Sequence, residues 1–212
     1  MNSTTARQEV FLEFSALGSE LHSPTGMYIL PLQADPFTWH GVIFLHKGYY
    51  AGAVLKFTLS IPSSYPSSPP TLSVQTPCFH PLIDPATTRV KLDGRFPRWR
   101  PREDFLFHVL HFFKSMFKRA ALDQLTEGSC ANREAYRLYR DQTPLFAKLA
   151  SQSAALSITE SSLFAPPLPS HTKPSPIQFR KLEEGEEETL KEKIEEAGRA
   201  RLISSRRPPG LA

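Results

Sequence analysis

Apolar residues near the start of the chain recur with two different periods. From Arg7 to Leu21, the residues Val10, Phe11, Phe14, Leu17 and Leu21 follow spacings of three and four, which predicts an amphipathic helix with these side chains on its buried face. Gly18, or the segment His22-Ser23-Pro24, would end it. The period then changes to two. Met27, Ile29 and Pro31 alternate with Tyr28 and Leu30, Trp39 to Leu45 is rich in β-formers, and Leu55, Phe57, Leu59 and Ile61 alternate with Lys56, Thr58 and Ser60. The segments on either side of Lys47-Gly48 predict an antiparallel meander, and Thr71 to Val74 predicts a short fourth strand entered from a proline-rich corner.

Helical spacing returns from Asp104 to Arg119, where Phe105, Leu106, Phe107, Val109, Leu110, Phe112, Phe113, Met116 and Phe117 surround most of the helical wheel. Such a helix must be buried on more than one side. Asn132 is placed to cap a helix over Arg133–Tyr139, and another helix is expected from Pro144 to Ser151 or a little beyond. The order predicts an α+β domain, a four-stranded antiparallel meander flanked by helices, over residues 6–152.

Beyond residue 152 the composition turns to Ser, Thr and Pro, with Pro166, Pro167, Pro169, Pro174 and Pro176 close together. Such a segment buries too little apolar surface to offset its ordering entropy. Residues 153–212 are therefore expected to be a disordered Pro/Ser-rich and charged tail, with an acidic run at Glu183 to Glu188 and one marginal helix over Leu190–Ala200.

Charge and cysteine content narrow the reading. The net charge is +4, with sixteen basic against twelve acidic residues in the first 150 and nine of each afterwards, so the excess is modest and lies in the domain. No stretch is apolar over the length a membrane span needs, and Met1 to Val10 is polar, which fits a cytosolic or nuclear chain. Cys78 and Cys130 are too few for a disulfide framework or a four-cysteine zinc site.

Four short motifs then follow in order. Tyr50-Ala51-Gly52-Ala53 precedes the strand Leu55–Ile61; Tyr65-Pro66-Ser67-Ser68-Pro69-Pro70 forms a stiff corner in which proline fixes φ and can hold a cis bond; Phe79-His80-Pro81 and Trp99-Arg100-Pro101 come next. Together they resemble the ubiquitin-conjugating enzymes, whose Tyr-x-Gly-Gly turn, Tyr-Pro-x-x-Pro-Pro corner, His-Pro-Asn motif and Trp-x-Pro motif stand in that sequence. The resemblance implies the ubiquitin-conjugating-enzyme-like (UBC/UEV) fold and gives Tyr65, Pro66, Pro69, Pro70, His80, Pro81, Trp99 and Pro101 a structural role.

Active members of that family carry ubiquitin as a thioester on a cysteine downstream of His-Pro-Asn, and the thiolate is the nucleophile. Aligning Val90-Lys91-Leu92-Asp93 with the family's Ile-Cys-Leu-Asp puts Lys91 at the nucleophile position, within a residue or so, and no cysteine occurs from Phe79 to Ser129 in any register. The motif's asparagine is Leu82, which can donate no hydrogen bond. The first helix, which recruits activating enzyme through basic residues in active members, carries Arg7 against Glu9, Glu13 and Glu20. The resemblance thus implies no catalytic residue, no cofactor and no enzyme.

Trp39-His40-Gly41-Val42-Ile43-Phe44, Phe79-His80-Pro81-Leu82-Ile83-Asp84-Pro85 and Phe96-Pro97-Arg98-Trp99-Arg100 resemble the Fused Toes, or AKT-interacting protein, family more narrowly. That resemblance implies a cytoplasmic adaptor binding Hook-type coiled-coil proteins and a Fused-Toes-and-Hook-interacting (FHIP-type) partner, linking endosomal or vesicle cargo to microtubule transport. Membrane association is then expected only through partners. The alternative is a ubiquitin-binding variant, holding ubiquitin weakly, that assists an active enzyme or sorts ubiquitinated cargo.

The remaining candidates have plainer readings beside them. Cys78 and Cys130 are expected to be inert packing or loop thiols. His108 and His111 lack a third ligand for a metal, and none is expected. Arg89, Lys91, Arg95, Arg98, Arg100 and Arg102, with Phe96 and Trp99 between them, are a candidate patch for an acidic partner, a phospholipid surface or nucleic acid; the competing reading is a solvated loop over the former active site. Taken with the modest charge excess, nucleic acid is not expected as a partner.

Overall fold

The period-two segments pair as antiparallel neighbours in the order β1-β2-β3-β4: β1 (Met27–Leu32), β2 (Asp35–Phe44), β3 (Val54–Ser60) and β4 (Thr71–Val74). This is a computed structural model, and it describes residues 3–19, 21–164 and 175–205. The register places Ile43 opposite Leu55, Gly41 opposite Phe57 and Trp39 opposite Leu59, so all six share one face of the sheet. Trp39, Ile43, Leu55, Phe57 and Leu59 are fully buried there. Gly41 is required by close approach, since a Cβ at this position would stand 2.2 Å from Cζ of Phe57.

Helices cover that face. α1 (Ser3–Ala16) precedes the sheet; α2 (Leu106–Ser115), α3 (Arg119–Asp123), a 3-10 turn (Glu127–Ser129), α4 (Arg133–Asp141), α5 (Thr143–Ser157) and α6 (Glu160–Leu163) follow it. Leu106, Val109, Leu110 and Phe113 of α2 are buried, and the Phe113 ring meets Phe57 edge-on at 5.0 Å. The architecture is the expected α+β one.

Three elements differ from the periodicity. α1 stops at Ala16 and buries Ala6 and Val10, with Phe14 and Leu17 partly buried, while Phe11 is 68% exposed and Leu21, beyond the helix, is 84% exposed. The buried stripe runs 6, 10, 13, 14, 17, and Phe11 lies roughly 100° around the axis from Val10. The expected helix over Asp104–Arg119 is two. Met116 and Phe117 turn into the core, Lys118 adopts extended backbone at φ −78° and ψ 143°, and α3 starts from it. At its other end, Asp104 is held by Arg100, and the Phe105 N–H donates to Nδ1 of His108, so α2 starts at Leu106.

The local signals for α4 and α5 give the observed starts. Asn132 accepts a hydrogen bond from the Ala135 N–H at 3.0 Å, as an N-cap does, and Pro144 sits in the first turn of α5. Compact structure runs on past residue 152. Ser153 Oγ accepts from the Phe79 N–H, Ser157 Oγ accepts from the Val54 N–H at 2.9 Å, and Lys56 Nζ donates to the carbonyls of Ser162 and Leu163. The chain divides into two compact units at 178/179, against an expected division after 152.

In the second unit, α7 (Glu186–Ser205) spans the expected Leu190–Ala200 helix and carries the i,i+4 pairs Glu187–Lys191 and Glu195–Arg199. Most of the proline-rich segment, Pro166 to Pro174, lies outside the described residues, as do Glu20, Arg206 and Arg207. No helix of the described residues is long and apolar enough to cross a membrane.

Candidate functional site

The proline corner and the tryptophan motif lock together. Tyr65-Pro66 is a cis peptide bond, and the Pro66 carbonyl accepts from Trp99 Nε1 at 2.8 Å. Tyr65 is fully buried, its hydroxyl bonded to Glu13 Oε1. The other oxygen of Glu13 accepts from the Leu106 N–H, the first amide of α2, at 2.6 Å. One carboxylate thus joins α1, the corner and the positive end of α2. Burial raises the Glu13 pKa, while its bonds to Tyr65 and Leu106 oppose the rise. Trp99 is only partly buried against the core, and Pro101 is exposed in the following turn.

His80 organises the adjacent corner. It is fully buried, its Nδ1 accepts from the Leu82 N–H at 3.0 Å, and its Nε2 lies 3.1 Å from the Met116 carbonyl. An accepting Nδ1 carries no proton, so Nε2 carries it and donates to Met116. Burial pushes the imidazole pKa down to about 4, only partly opposed by the Met116 bond, which keeps the ring neutral. Tyr50 and Phe117 pack against it, and the Tyr50 hydroxyl donates to the Phe79 carbonyl at 2.7 Å. The Pro81 carbonyl accepts from both the Ala131 and Asn132 N–H groups at 2.9 Å, tying the corner to the start of α4.

From this corner the chain makes a tight hairpin. Ile83 bridges Val90, the Lys91 N–H donates to the Leu82 carbonyl at 2.8 Å, and the Val90 N–H donates to Leu72, extending pairing beyond β4. Asp84 closes the turn by accepting from the Ala86 and Thr87 N–H groups at 2.9 and 2.7 Å, which lowers its pKa. Thr88 carries φ +57°, a left-handed conformation uncommon for a β-branched residue. Lys91, expected at the nucleophile position, sends Nζ to the Gly128 carbonyl at 2.9 Å, bridging the hairpin to the 3-10 turn. Leu82, expected at the asparagine position, is buried.

The two thiols lie in different settings. Burial pushes the Cys78 pKa up to about 12. Cys130 is buried, its Sγ donating to the Thr126 carbonyl at 3.2 Å, and burial raises its pKa too, although Lys91 is near enough to oppose the rise. The sequence carried no signal for this nearness. Neither environment favours a thiolate.

The candidate basic residues are distributed over separate environments. Arg100 is engaged by Glu103 at 2.7 Å and by Asp104, and the Arg95 guanidinium lies 5.3 Å from the Phe96 ring centroid. Arg98 and Arg102 are exposed, Arg102 with φ +66°. Arg89 and Lys91 line a cleft of about 560 Å³ walled by Pro70 and Trp99, where Asp84 and Asp93 balance their charge. Arg95 lines a different cleft, of about 790 Å³, floored by Leu82 and joined by His108, His111, Lys114 and Lys118. Sequence reasoning missed Lys114 and Lys118, whose i,i+4 spacing was obscured by the apolar residues around them. His111 bonds through Nε2 to the His22 carbonyl. Among the described residues no group of three or more His, Cys, Asp and Glu side chains is arranged to hold a metal ion.

Comparison with known proteins agrees with this geometry. Residues 13–154 match the family described as ubiquitin-conjugating enzyme. The protein crossbronx of Drosophila mojavensis is 30% identical over 187 residues, covering 85% of this chain and 74% of that protein. The AKT-interacting protein of Homo sapiens is 34% identical over 122 residues, 57% of this chain and 40% of that protein, and a crossbronx homolog of Anopheles gambiae is 29% identical over 140 residues, 65% and 60% respectively. The chain thus spans between 40% and 74% of the length of these three curated relatives. With the proline corner, the His-Pro corner and the four-stranded meander all in place, the chain belongs to the ubiquitin-conjugating-enzyme family, and within it to the group of crossbronx and AKT-interacting, or Fused Toes, proteins.

Proposed function

We propose that this chain is a non-catalytic protein-binding adaptor, part of a Fused Toes–Hook–FHIP-type complex that links endosomal or vesicle cargo to microtubule transport. One observation carries the non-catalytic half. The hairpin that should present a thiol presents Lys91, fastened to Gly128, and no cysteine lies between Phe79 and Ser129. A thioester needs a sulfur nucleophile at that place, and the two cysteines present are held as thiols by burial. Leu82 removes the amide that would steady a developing oxyanion. The adaptor half is supported by similarity to proteins of the AKT-interacting group. The chain then works in the cytoplasm and reaches vesicle surfaces through its partners.

Incubating the chain with activating enzyme, ATP and ubiquitin should give no reducible adduct on a non-reducing gel. An adduct that disappears with Cys78→Ser or Cys130→Ser would overturn the non-catalytic reading. Co-purification of a Hook homologue from cells expressing both proteins is the expected result for the adaptor reading, and its absence sinks that half alone.

A further inference from the structure

The cleft over Leu82 is lined by cations and by no carboxylate among the described residues. Arg95 enters it from the loop after the hairpin, Lys114 from the end of α2 and Lys118 from the start of α3, with His108 and His111 on the α2 wall. Of the carboxylates near the cleft in sequence, Asp93 lines the other cleft, Asp104 is engaged by Arg100, Asp123 by the Tyr139 hydroxyl, and Glu127 by Arg137 at 2.9 Å. Lys114 is partly buried and reaches the Thr25 carbonyl; burial and the neighbouring Lys118 both lower its pKa. Cations gathered in a recess without a counter-ion raise the local potential, and an entering anion relieves it.

The rest of the lining decides the kind of anion. The half-buried Phe112 and Leu125 give the cleft apolar walls beside the cations, over the buried Leu82 and Met116. A nucleic-acid backbone is met by a continuous row of cations without apolar neighbours, whereas here the exposed Arg95 and Lys118 and the half-buried Lys114 stand beside the half-buried Phe112 and Leu125. At about 790 Å³ the cleft is within the roughly 300–1,000 Å³ range of ligand pockets and holds a short stretch of chain.

We infer that this cleft docks a segment of a partner protein in which acidic residues alternate with aliphatic ones, the carboxylates meeting Arg95, Lys114 and Lys118 and the aliphatic side chains meeting Phe112 and Leu125. This names the surface and the chemistry of recognition, and it rests on the adaptor reading only for the assumption that the occupant is a protein.

The test is fluorescence anisotropy of the full chain with a short labelled peptide of alternating Glu and Leu. The peptide should bind, and its affinity should fall several-fold as salt rises from about 50 to 200 mM. The double variant Arg95→Glu/Lys118→Glu should weaken binding by about tenfold or more, while Arg98→Glu/Arg102→Glu, the same charge change in exposed positions outside the cleft, should weaken it by less than about threefold. Thermal unfolding of both variants checks that the fold is kept. Absence of binding, equal loss in the two double variants, or capture of phosphatidylserine vesicles without capture of the peptide would each overturn the inference. A Hook homologue that still co-purifies in any of these cases leaves the adaptor reading standing; peptide binding without a Hook complex does the reverse.

Discussion

The His80 corner and the hairpin that ends at Lys91 are neighbours in sequence and in space, yet they are built on opposite principles. At the corner a fully buried imidazole uses both ring nitrogens, and the carbonyls of Phe79 and Pro81 are taken by Tyr50, Ala131 and Asn132. At the hairpin Pro85, Ala86, Thr87 and Arg89 face solvent, the turn is closed by one half-buried aspartate, and Lys91 makes a single bond to a surface carbonyl. The corner is a support and the hairpin is what it supports. A scaffold of this kind keeps its shape while the residue at the hairpin's end changes, because little of the folding free energy resides there.

The sharpest way to break this comparison is to remove the support. His80→Ala strands a buried Leu82 N–H and a buried Met116 carbonyl and leaves a cavity against Tyr50 and Phe117, which should cost about 3–5 kcal/mol. Urea unfolding should show the loss directly, and a change below about 1 kcal/mol would mean the corner is held without its histidine.

The same residue sets a pH dependence of nearly that size. The folded pKa lies near 4 and the unfolded one near 6.5, so the unfolded chain binds the proton first as pH falls. Stability from this group is complete above pH 6.5 and is lost progressively between about 6.5 and 4, amounting to about 3 kcal/mol at the lower end. Unfolding midpoints across that range should fall in the wild type, and the part of the fall due to this group should be missing from a folded His80 variant such as His80→Gln.

How much of this was legible in the sequence follows from the range of the interactions. The strands could be read because alternation is local and the pleat converts it directly into faces, and Asn132 could be read because a cap acts three residues away. The break between α2 and α3 could not, because a segment apolar all round the wheel contains no contrast to mark where Met116 and Phe117 turn inward. Glu13 was hidden for another reason. Its partners Tyr65 and Leu106 lie 52 and 93 residues away, so within the first helix it stood out only as one more acidic residue. The corner motifs pointed to the site, but the cleft over Leu82 draws on several separate segments, and no spacing rule joins them.

Glu13 extends the comparison to the other face of the support. Glu13→Ala removes the acceptor for the Tyr65 hydroxyl and for the first amide of α2, and should cost about 1–3 kcal/mol in denaturant unfolding. Glu13→Gln keeps an acceptor and fills the same volume, so it should recover more than half of that loss. Equal losses in the two variants would show that a single acceptor is not enough and that the join needs the full carboxylate, with both oxygens and its charge.

The smallest expected effect is at Lys91, and it is the one that most directly separates the two regions. Its side chain is partly exposed and its single bond to Gly128 competes with water, so Lys91→Ala should change stability by less than about 0.5 kcal/mol. The backbone N–H that pairs with Leu82 is untouched by the substitution, and the hairpin should keep its register. Hydrogen exchange at the Lys91 and Val90 amides checks that point independently of global stability. Faster exchange there with unchanged unfolding would show that the lysine clamps the hairpin to the 3-10 turn, whereas unchanged exchange would place all of the hairpin's order in the His80 corner and in its pairing with β4.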